Sequence, residues 1–328
     1  MSPIIISIIV LALIFDLLNG IRDASNLVAT VISSRALSPR WALMLTAVAG
    51  FLGPFIFGVA VATAIGSEIV SPEAVNLEVI IAALAAAIIW NLLTLLLGLP
   101  SSSSHALIGG LLGAVFLDTG WGAIDTGGLL KILVVLFTSP IIGLVVGWLI
   151  ARLMVFLCRR ASPKINYFFK NGQLVTSVAL ALSHGANDAQ KTMGIITMAL
   201  VTSGYLNSFV VPGWVILTCA GVIAIGTLFG GRRLIRTLGE KFYKIRPLEG
   251  FSSQLASSLV IMGSSLFGGP VSTTQVVSGS IMGVGAADRV KKVRWAVAGD
   301  ILVAWFLTIP ATGLLAAGIY WIVIQFIK

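Results

Sequence analysis

The chain has 328 residues, of which 58% are hydrophobic and only 10% are charged, and its formal net charge is +9. A soluble globular domain carries about 25% charged residues, so this composition leaves too little polar surface to coat a water-soluble particle of this size. The basic residues lie between apolar runs rather than in one patch, which argues against a nucleic-acid partner and for a protein embedded in a lipid bilayer.

Several apolar runs are long enough, or nearly so, to cross the roughly 30 Å hydrocarbon core of a bilayer as helices. They cover residues 4–18, 41–65, 79–98, 129–151, 211–230 and 301–327. Because every backbone polar group in lipid must be paired within the protein, these runs predict an all-α integral membrane protein. Their number predicts a multi-pass location in the cell membrane.

Lysine and arginine mark the cytoplasmic loops of membrane proteins, and here they gather in four places. These are Arg35 and Arg40; Arg152, Arg159, Arg160, Lys164 and Lys170; Arg232, Arg233, Arg236, Lys241, Lys244 and Arg246; and Arg289, Lys291, Lys292 and Arg294. With these loops inside, residues 4–34 run inward from an outside N-terminus. Residues 79–117 and 251–288 must each leave on the side they entered, which predicts two re-entrant helical hairpins.

The two halves then carry the same elements in the same order with opposite orientation. This arrangement predicts two inverted-topology repeats, a design found in many secondary transporters. We place the first repeat at residues 1–151, a cytoplasmic connector at 152–173 and the second repeat at 174–328.

Two motifs support the duplication independently of the charges. Asn19-Gly-Ile-Arg-Asp23-Ala parallels His184-Gly-Ala-Asn-Asp188-Ala. Pro100-Ser-Ser-Ser-Ser104-His105 parallels Pro270-Val-Ser-Thr-Thr274-Gln275. The nearly constant separation between the paired motifs makes coincidence a poor explanation.

The aspartates of the first motif, Asp23 and Asp188, lie within apolar segments, where burying a carboxylate costs at least about 2.5 kcal/mol. One interpretation is a pair of structural ion pairs with Arg22 and Lys191. The favoured interpretation is a site for Na⁺ or another coupling cation, because the aspartate recurs in both halves. The candidate ligands of that cation are Asn19, Asp23, Asn187 and Asp188.

A glycine precedes each aspartate by three residues, at Gly20 and Gly185. We expect each of these first helices to be broken there, since a break frees backbone carbonyls as hard ligands for Na⁺.

The second motif predicts the N-termini of the returning hairpin helices at residues 102–105 and 272–275, because proline suits a first turn and serine or threonine suits a cap. Free N–H groups and the positive end of the helix dipole make such termini anion sites. The hydroxyl donors there are Ser102, Ser103, Ser104, Ser272, Thr273 and Thr274. The alternative is that these hydroxyls only cap helices or join neighbouring spans.

Further donors follow the aspartates, and Asn26, Gln190 and Lys191 are candidates to complete the coordination of an oxyanion. Lys191 has the alternative of pairing with Asp188. His105 and His184 adjoin the motifs as neutral hydrogen-bonding residues or as proton relays.

These motifs resemble those of the inorganic phosphate transporter family, often called the PiT family. The matching segments are Gly185-Ala-Asn-Asp-Ala189, the degenerate Gly20–Asn26, both Pro-Ser motifs, Lys191-Thr-Met-Gly-Ile-Ile-Thr197 and Lys244-Ile-Arg-Pro247. The resemblance implies an importer of phosphate by symport with Na⁺ or H⁺, with no tightly bound cofactor and with a homodimeric assembly. It implies that Asp23 and Asp188 serve cation coupling and that the hairpin tips bind phosphate.

The chain departs from the family pattern at two positions, where Arg22 replaces an asparagine and Gln275 stands where many members have histidine. Three alternatives to phosphate symport stay open: a symporter of sulfate or another oxyanion, a passive anion channel, and a membrane enzyme. The enzyme is disfavoured because the serines lie in a capping run and the duplication has no hydrolytic purpose.

Overall fold

The computed structural model describes residues 2–70, 75–99, 101–230 and 245–327. Pro100 and residues 231–244, with the basic side chains used in the topology prediction, lie outside the described residues. Within the described ranges the prediction of an all-helical chain is confirmed. The α-helices are α1 (Pro3–Ser33), α2 (Pro39–Phe57), α3 (Ala60–Ser67), α4 (Leu77–Leu97), α5 (Ser103–Asp118), α6 (Thr126–Leu157), α7 (Ile165–Thr202), α8 (Gly213–Leu228), α9 (Pro247–Leu266), α10 (Thr273–Asp288) and α11 (Trp295–Ile327).

Among the described residues, five segments are long and apolar enough to cross a membrane, namely α1, α2, α4, α6 and residues 302–325 of α11. The exposed faces are apolar, as at Leu96, Val175 and Leu314, which are 71%, 71% and 78% exposed. The interior contains charged side chains such as Asp188 and Lys191, which are fully buried. Lipid, rather than water, is the solvent that suits this distribution.

The polar interior forms a layer between two apolar clusters. Residues 5–15 of α1 belong to the first cluster and residues 27–31 to the second. In α7 the order is reversed, since residues 180–181 belong to the second cluster and residues 189–200 to the first. The two helices therefore cross the molecule in opposite directions. Their polar segments, residues 16–26 of α1 and 181–191 of α7, meet at the middle.

The expected breaks at Gly20 and Gly185 are wrong, because α1 and α7 are continuous α-helices. Both glycines instead allow close packing between helices. A Cβ atom on Gly20 would lie 2.3 Å from the carbonyl oxygen of Ile223 in α8, and one on Gly185 would lie 1.9 Å from that of Gly50 in α2.

A break occurs instead in the apolar run at 41–65, which sequence reasoning treated as one span. Gly58 separates α2 from α3 with a φ of 76°, a conformation that favours glycine. The side chain of Gln190 on α7 pairs the backbone groups freed there. Its Oε1 accepts hydrogen bonds from the N–H groups of Val61 at 2.8 Å and Ala62 at 3.2 Å, while its Nε2 donates to the Gly58 carbonyl.

Two helical hairpins, α4–α5 and α9–α10, follow the predicted pattern of helix, turn and helix. Their second helices begin as predicted, with Ser102 and Ser272 at the N-cap positions. Each second helix packs extensively on the last helix of the other half, α5 against α11 and α10 against α6. Whether each hairpin enters and leaves on one side of the membrane stays a prediction.

The loop between α6 and α7 covers only residues 158–164. The ends of the predicted connector at 152–173 therefore lie in helices. The division into 1–151, 152–173 and 174–328 stays a prediction.

Candidate functional site

The N-termini of α5 and α10 meet in the interior of the protein. The Ser104 hydroxyl donates a hydrogen bond to the carbonyl oxygen of Val271, two residues before α10, at 3.0 Å. Ser102 caps α5, and its hydroxyl accepts from the His105 N–H at 3.2 Å. The positive ends of two helix dipoles therefore come together at one place, which favours an anion.

Three predicted anion-site hydroxyls, on Ser103, Ser272 and Thr273, make no hydrogen bond to any described residue. Their residues are nevertheless buried, with exposed fractions of 5%, 2% and 3%. Ser102, Ser104 and Thr274 have protein partners. The tips thus contain hydroxyls with protein partners and hydroxyls without one among the described residues, and the binding of an anion by the latter stays a prediction.

The polar segment of α1 contacts the tip of α10 through Asp23 and Asn26. The Thr274 hydroxyl donates to Asp23 Oδ1 at 3.1 Å, and Asn26 Nδ2 lies 3.0 Å from the same oxygen and 2.8 Å from Thr274 Oγ1. These three side chains, contributed by two predicted repeats, form one closed hydrogen-bonded group.

The polar segment of α7 contacts the same tip through Lys191. Its ammonium group pairs with Asp188 and donates to the Val271 carbonyl oxygen at 3.2 Å. His184 lies one turn before, with Nδ1 2.6 Å from Asp188 Oδ2. The ion pair between Lys191 and Asp188, which sequence reasoning considered as an alternative, is present and lies directly at the helix tip.

Asp23, His184 and Asp188 each offer a ligand atom, and these atoms lie within 4.8 Å of one another. Several buried oxygens around them have no hydrogen-bond partner among the described residues. They are Asp23 Oδ2, Asn26 Oδ1 and Asn187 Oδ1. Buried polar atoms are normally paired, so this group of oxygens has the chemistry of a site for a hard cation. We call Asp23, Asn26, His184, Asn187 and Asp188 the cation cluster.

Asn19, a predicted cation ligand, is held elsewhere. Its Oδ1 accepts a hydrogen bond from Asn91 Nδ2 on α4 at 3.0 Å. Arg22 continues this network by donating to Asn91 Oδ1 and to the Ser101 carbonyl in the turn before α5. Arg22 thus ties α1 to the first hairpin and has no ion pair with Asp23 among the described residues.

Asn187, which matches Arg22 in the other half, does the same for the second hairpin. Its Nδ2 donates to Ser265 Oγ at 3.0 Å and lies 3.5 Å from the Gly269 carbonyl oxygen. Because Nδ2 makes these contacts, Oδ1 is left for the cation cluster.

Gln190 is a predicted anion ligand that the structure does not bring to the tips, because both its Oε1 and its Nε2 bind backbone groups at the break between α2 and α3. His105 lies at the α5 tip, with Nδ1 2.7 Å from Ser102 Oγ and 3.5 Å from Gln275 Nε2. It therefore contacts Gln275, its counterpart in the second Pro-Ser motif.

Asp16 is a buried carboxylate that sequence reasoning missed. It is fully buried in α1, and neither of its oxygens has a hydrogen-bond partner among the described residues. The signal that identified Asp23, an acid within an apolar run, applied equally to Asp16. Asp16 is not duplicated, because the matching position in the second half is Ala181.

Comparison with known proteins gives consistent results. The sequence pattern of the phosphate transporter family matches residues 19–164 and 158–316 of this chain. A protein named probable low-affinity inorganic phosphate transporter from Rhizobium meliloti (strain 1021) is 45% identical over 97% of this chain and 96% of its own length. A protein of the same name from Bacillus subtilis (strain 168) is 43% identical over the same shares of the two chains.

Among solved structures, one titled "The sodium-dependent phosphate transporter" superposes with a TM-score of 0.91 and covers 100% of both chains. Its sequence identity to this chain is 24%, so the likeness establishes the fold.

Proposed function

Because this chain belongs to the phosphate transporter family and is a multi-pass membrane protein, we propose that it imports inorganic phosphate by symport with a cation. The observation that carries the proposal is the meeting of two helix N-termini beside a buried cluster in which Asp23 Oδ2, Asn26 Oδ1 and Asn187 Oδ1 have no hydrogen-bond partner among the described residues. Its named relatives are transporters, which favours transport over the enzyme alternative.

Phosphate binds, in this proposal, between the tips of α5 and α10. The hydroxyls of Ser103, Ser272 and Thr273 and the free N–H groups of both first turns donate to its oxygens. Lys191 adds a positive charge at the same place, because it already contacts the Val271 carbonyl beside the α10 tip. Gln190 is left out of the ligand set, since its amide has other partners.

The buried charges supply the reason for coupling. Arg22 and Lys191 balance Asp23 and Asp188, and all four side chains are almost completely buried. A phosphate dianion would therefore add two uncompensated negative charges to a low-dielectric interior, which is strongly unfavourable. A cation that enters together with phosphate removes this penalty.

The cation cluster is the proposed position of that ion, with oxygens from Asp23, Asn26, Asn187 and Asp188. Asn19 is not part of this set, because its Oδ1 already accepts from Asn91. Na⁺ suits the hard oxygen ligands, and the related solved structure is titled as that of a sodium-dependent transporter. A proton is the other candidate for this position.

Inverted repeats and alternating access are the finer parts of the proposal. They are supported by the opposite directions in which α1 and α7 pass the two apolar clusters. They are also supported by the packing of α5 and α10, each on the last helix of the other half. Alternating access would then expose a fixed central site to each side in turn. The homodimer implied by the sequence resemblance stays a prediction.

The test is uptake of radiolabelled phosphate into proteoliposomes, with Na⁺ and pH gradients imposed separately. We expect an inward cation gradient to drive accumulation, and we expect arsenate to compete better than sulfate. Asp188→Asn should abolish the accumulation, whereas Glu68→Gln, on the distant exposed ion pair with Lys131, should not. Uptake that ignores both gradients would indicate a channel, and stronger competition by sulfate would indicate the other oxyanion.

A further inference from the structure

Asp16 lies outside both the phosphate site and the cation cluster. It precedes Asp23 by seven residues of the same continuous helix, which places it two turns, about 10 Å, along the axis of α1. It is fully buried, and neither of its oxygens has a hydrogen-bond partner among the described residues. A buried carboxylate in this condition needs a neutralising ligand, because an isolated buried anion is unfavourable by several kcal/mol.

The surroundings of Asp16 come from α7 and α8. The Thr192 hydroxyl of α7 lies beside it without a well-formed hydrogen bond, and Cys219 is its titratable neighbour on α8. The helices approach closely here, since a Cβ atom on Gly226 of α8 would lie 2.4 Å from the Leu17 carbonyl oxygen.

The charged groups near Asp16 already have partners. Lys191 on α7 pairs with Asp188, and Arg22 on α1 is held by Asn91 and the turn before α5. The remaining titratable groups of these segments are Asp23 on α1 and His184 on α7, which belong to the cation cluster. The negative charge of Asp188 repels an ionised Asp16. Lys191 attracts it, but Lys191 is already paired with Asp188.

We propose that Asp16 binds a proton in this conformation and that this proton is carried with phosphate. The inference rests on the proposed symport function, and it names H⁺ as a coupling ion in addition to the ion of the cation cluster. The carboxylate takes up one proton from the side to which the site is open, forming the neutral acid. After the site opens to the other side, the acid releases that proton and becomes the carboxylate again.

One continuous helix, α1, links proton binding at Asp16 to the phosphate site. Asp16 and Asp23 both lie on α1, and Asp23 is joined by hydrogen bonds to Asn26 and to the α10 tip through Thr274. A movement of α1 against α7 and α8 that opens the phosphate site therefore also changes the surroundings of Asp16. The balance of buried charges also supports a proton at Asp16, because an ionised Asp16 would add a further uncompensated negative charge when phosphate binds.

The test compares wild type with Asp16→Asn in proteoliposomes that hold equal, saturating Na⁺ on both sides. Asparagine has the shape of the protonated acid, so we expect Asp16→Asn to fold and to exchange phosphate across the membrane at equal concentrations. Each proton carried multiplies phosphate accumulation by about tenfold per pH unit of inward gradient. Asp16→Asn should therefore accumulate about tenfold less phosphate than wild type per pH unit.

The change in phosphate ionisation with pH affects wild type and Asp16→Asn equally. The ratio of phosphate accumulation between the two proteins therefore reports only the proton at Asp16. Equal accumulation by wild type and Asp16→Asn would overturn the inference. A difference in accumulation between the two proteins that follows an imposed Na⁺ gradient and not a pH gradient would also overturn the inference, since it would place a metal ion at Asp16. Wild-type protein that accumulates phosphate under neither gradient would instead refute the proposed symport function.

Infrared difference spectroscopy gives a readout independent of transport. Wild type should show the C=O stretching band of a protonated carboxyl group, sensitive to exchange into D₂O, and Asp16→Asn should lack it. If Asp16→Asn does not fold, Asp16→Glu replaces it and should move both the band and the pH profile of uptake. An unchanged band and an unchanged profile in Asp16→Glu would overturn the inference.

Discussion

The polar segments of α1 and α7 occupy matching positions in the two halves but differ in charge. The matched pairs are Asp16 with Ala181, Asn19 with His184, Arg22 with Asn187, Asp23 with Asp188, and Asn26 with Lys191. The aspartate alone is identical within these pairs. The first segment therefore carries two acids and an arginine, whereas the second carries one acid, a lysine and a histidine.

The comparison separates what the fold requires from what the chemistry requires. Arg22 and Asn187 are different residues with one task, since each donates to the turn of its own half's hairpin, at Ser101 and Gly269. Asn26 and Lys191 differ in charge, yet both contact the tip region of α10, through Thr274 and Val271. The residue that holds the hairpin turn differs between the two halves, whereas the aspartate of the cation cluster is the same in both.

The two aspartates give the largest expected effect and the sharpest test of this comparison. Asp188→Asn leaves Lys191 buried without its anion, which should destabilise the protein by about 3–5 kcal/mol. Asp23→Asn should be milder, because Asp23 is held by hydrogen bonds and not by an ion pair among the described residues. Both variants should lose cation-driven uptake of phosphate.

Thermal unfolding in detergent, together with uptake into proteoliposomes, separates these effects. Equal destabilisation by the two variants would contradict the different partners of the two aspartates. Driven uptake in either variant would contradict a cation site shared between the halves.

Arg22→Asn makes the two halves alike at the tethering position and should have the next largest effect. Asparagine is too short to reach both Asn91 and the Ser101 carbonyl, so buried partners are left unpaired at a cost of about 1–3 kcal/mol. Arg22→Lys is the matched control, because it keeps the charge and loses the planar fork. Full stability of Arg22→Asn would show that the tether is dispensable.

The packing glycines give an intermediate effect. Gly185→Ala places Cβ 1.9 Å from the Gly50 carbonyl oxygen, a backbone atom that cannot move alone, so we expect destabilisation by about 1–3 kcal/mol. Gly221→Ala in α8 is the control, since its Cβ would meet nothing within 4 Å and should stabilise the helix by about 0.4–1 kcal/mol. Similar melting temperatures for both variants would contradict the close packing of α7 on α2.

The smallest effect concerns matching aspartates at the hairpin ends, Asp118 and Asp288. Asp118 accepts from Asn76 Nδ2 at 2.9 Å and from the Tyr320 hydroxyl, whereas Asp288 pairs with Lys292 at 3.1 Å. A hydrogen bond from Lys292 lowers the pKa of Asp288 below its ordinary value of 3.8. Its contribution to stability is therefore present above pH 3.8 and is lost as the pH falls through the lowered pKa.

Asp288→Asn should reduce stability at neutral pH by only a few tenths of a kcal/mol, because the pair is exposed to solvent. Melting curves of wild type and Asp288→Asn across acidic pH should converge at the lowest values. A difference that grows as the pH falls would contradict this assignment.

Much of the fold was predictable because it depends on composition and on local signals. The apolar runs, the N-caps at Ser102 and Ser272, and the duplication of the Asp motif can all be found in the sequence. The continuity of α1 and α7 was not predictable from Gly20 and Gly185. A glycine that bends a helix and a glycine that admits a neighbouring helix look the same until the neighbour is known.

The site was predicted in outline but not in detail. Asn187 Oδ1 is left without a partner and the Gln190 amide is occupied because of contacts between distant segments, such as those at the break at Gly58. Asp16 could not be predicted from the duplication of the motifs, because an acid occurs at this position in only one half.

The most direct test of the central claim is an experimental structure of the protein with phosphate and Na⁺ bound. Tetrahedral density is expected between the N-termini of α5 and α10, within hydrogen-bond distance of Ser103 and Thr273. A cation should lie between Asp23 and Asp188. Phosphate density away from both helix tips, or Asp23 and Asp188 bound to neither ion, would contradict it.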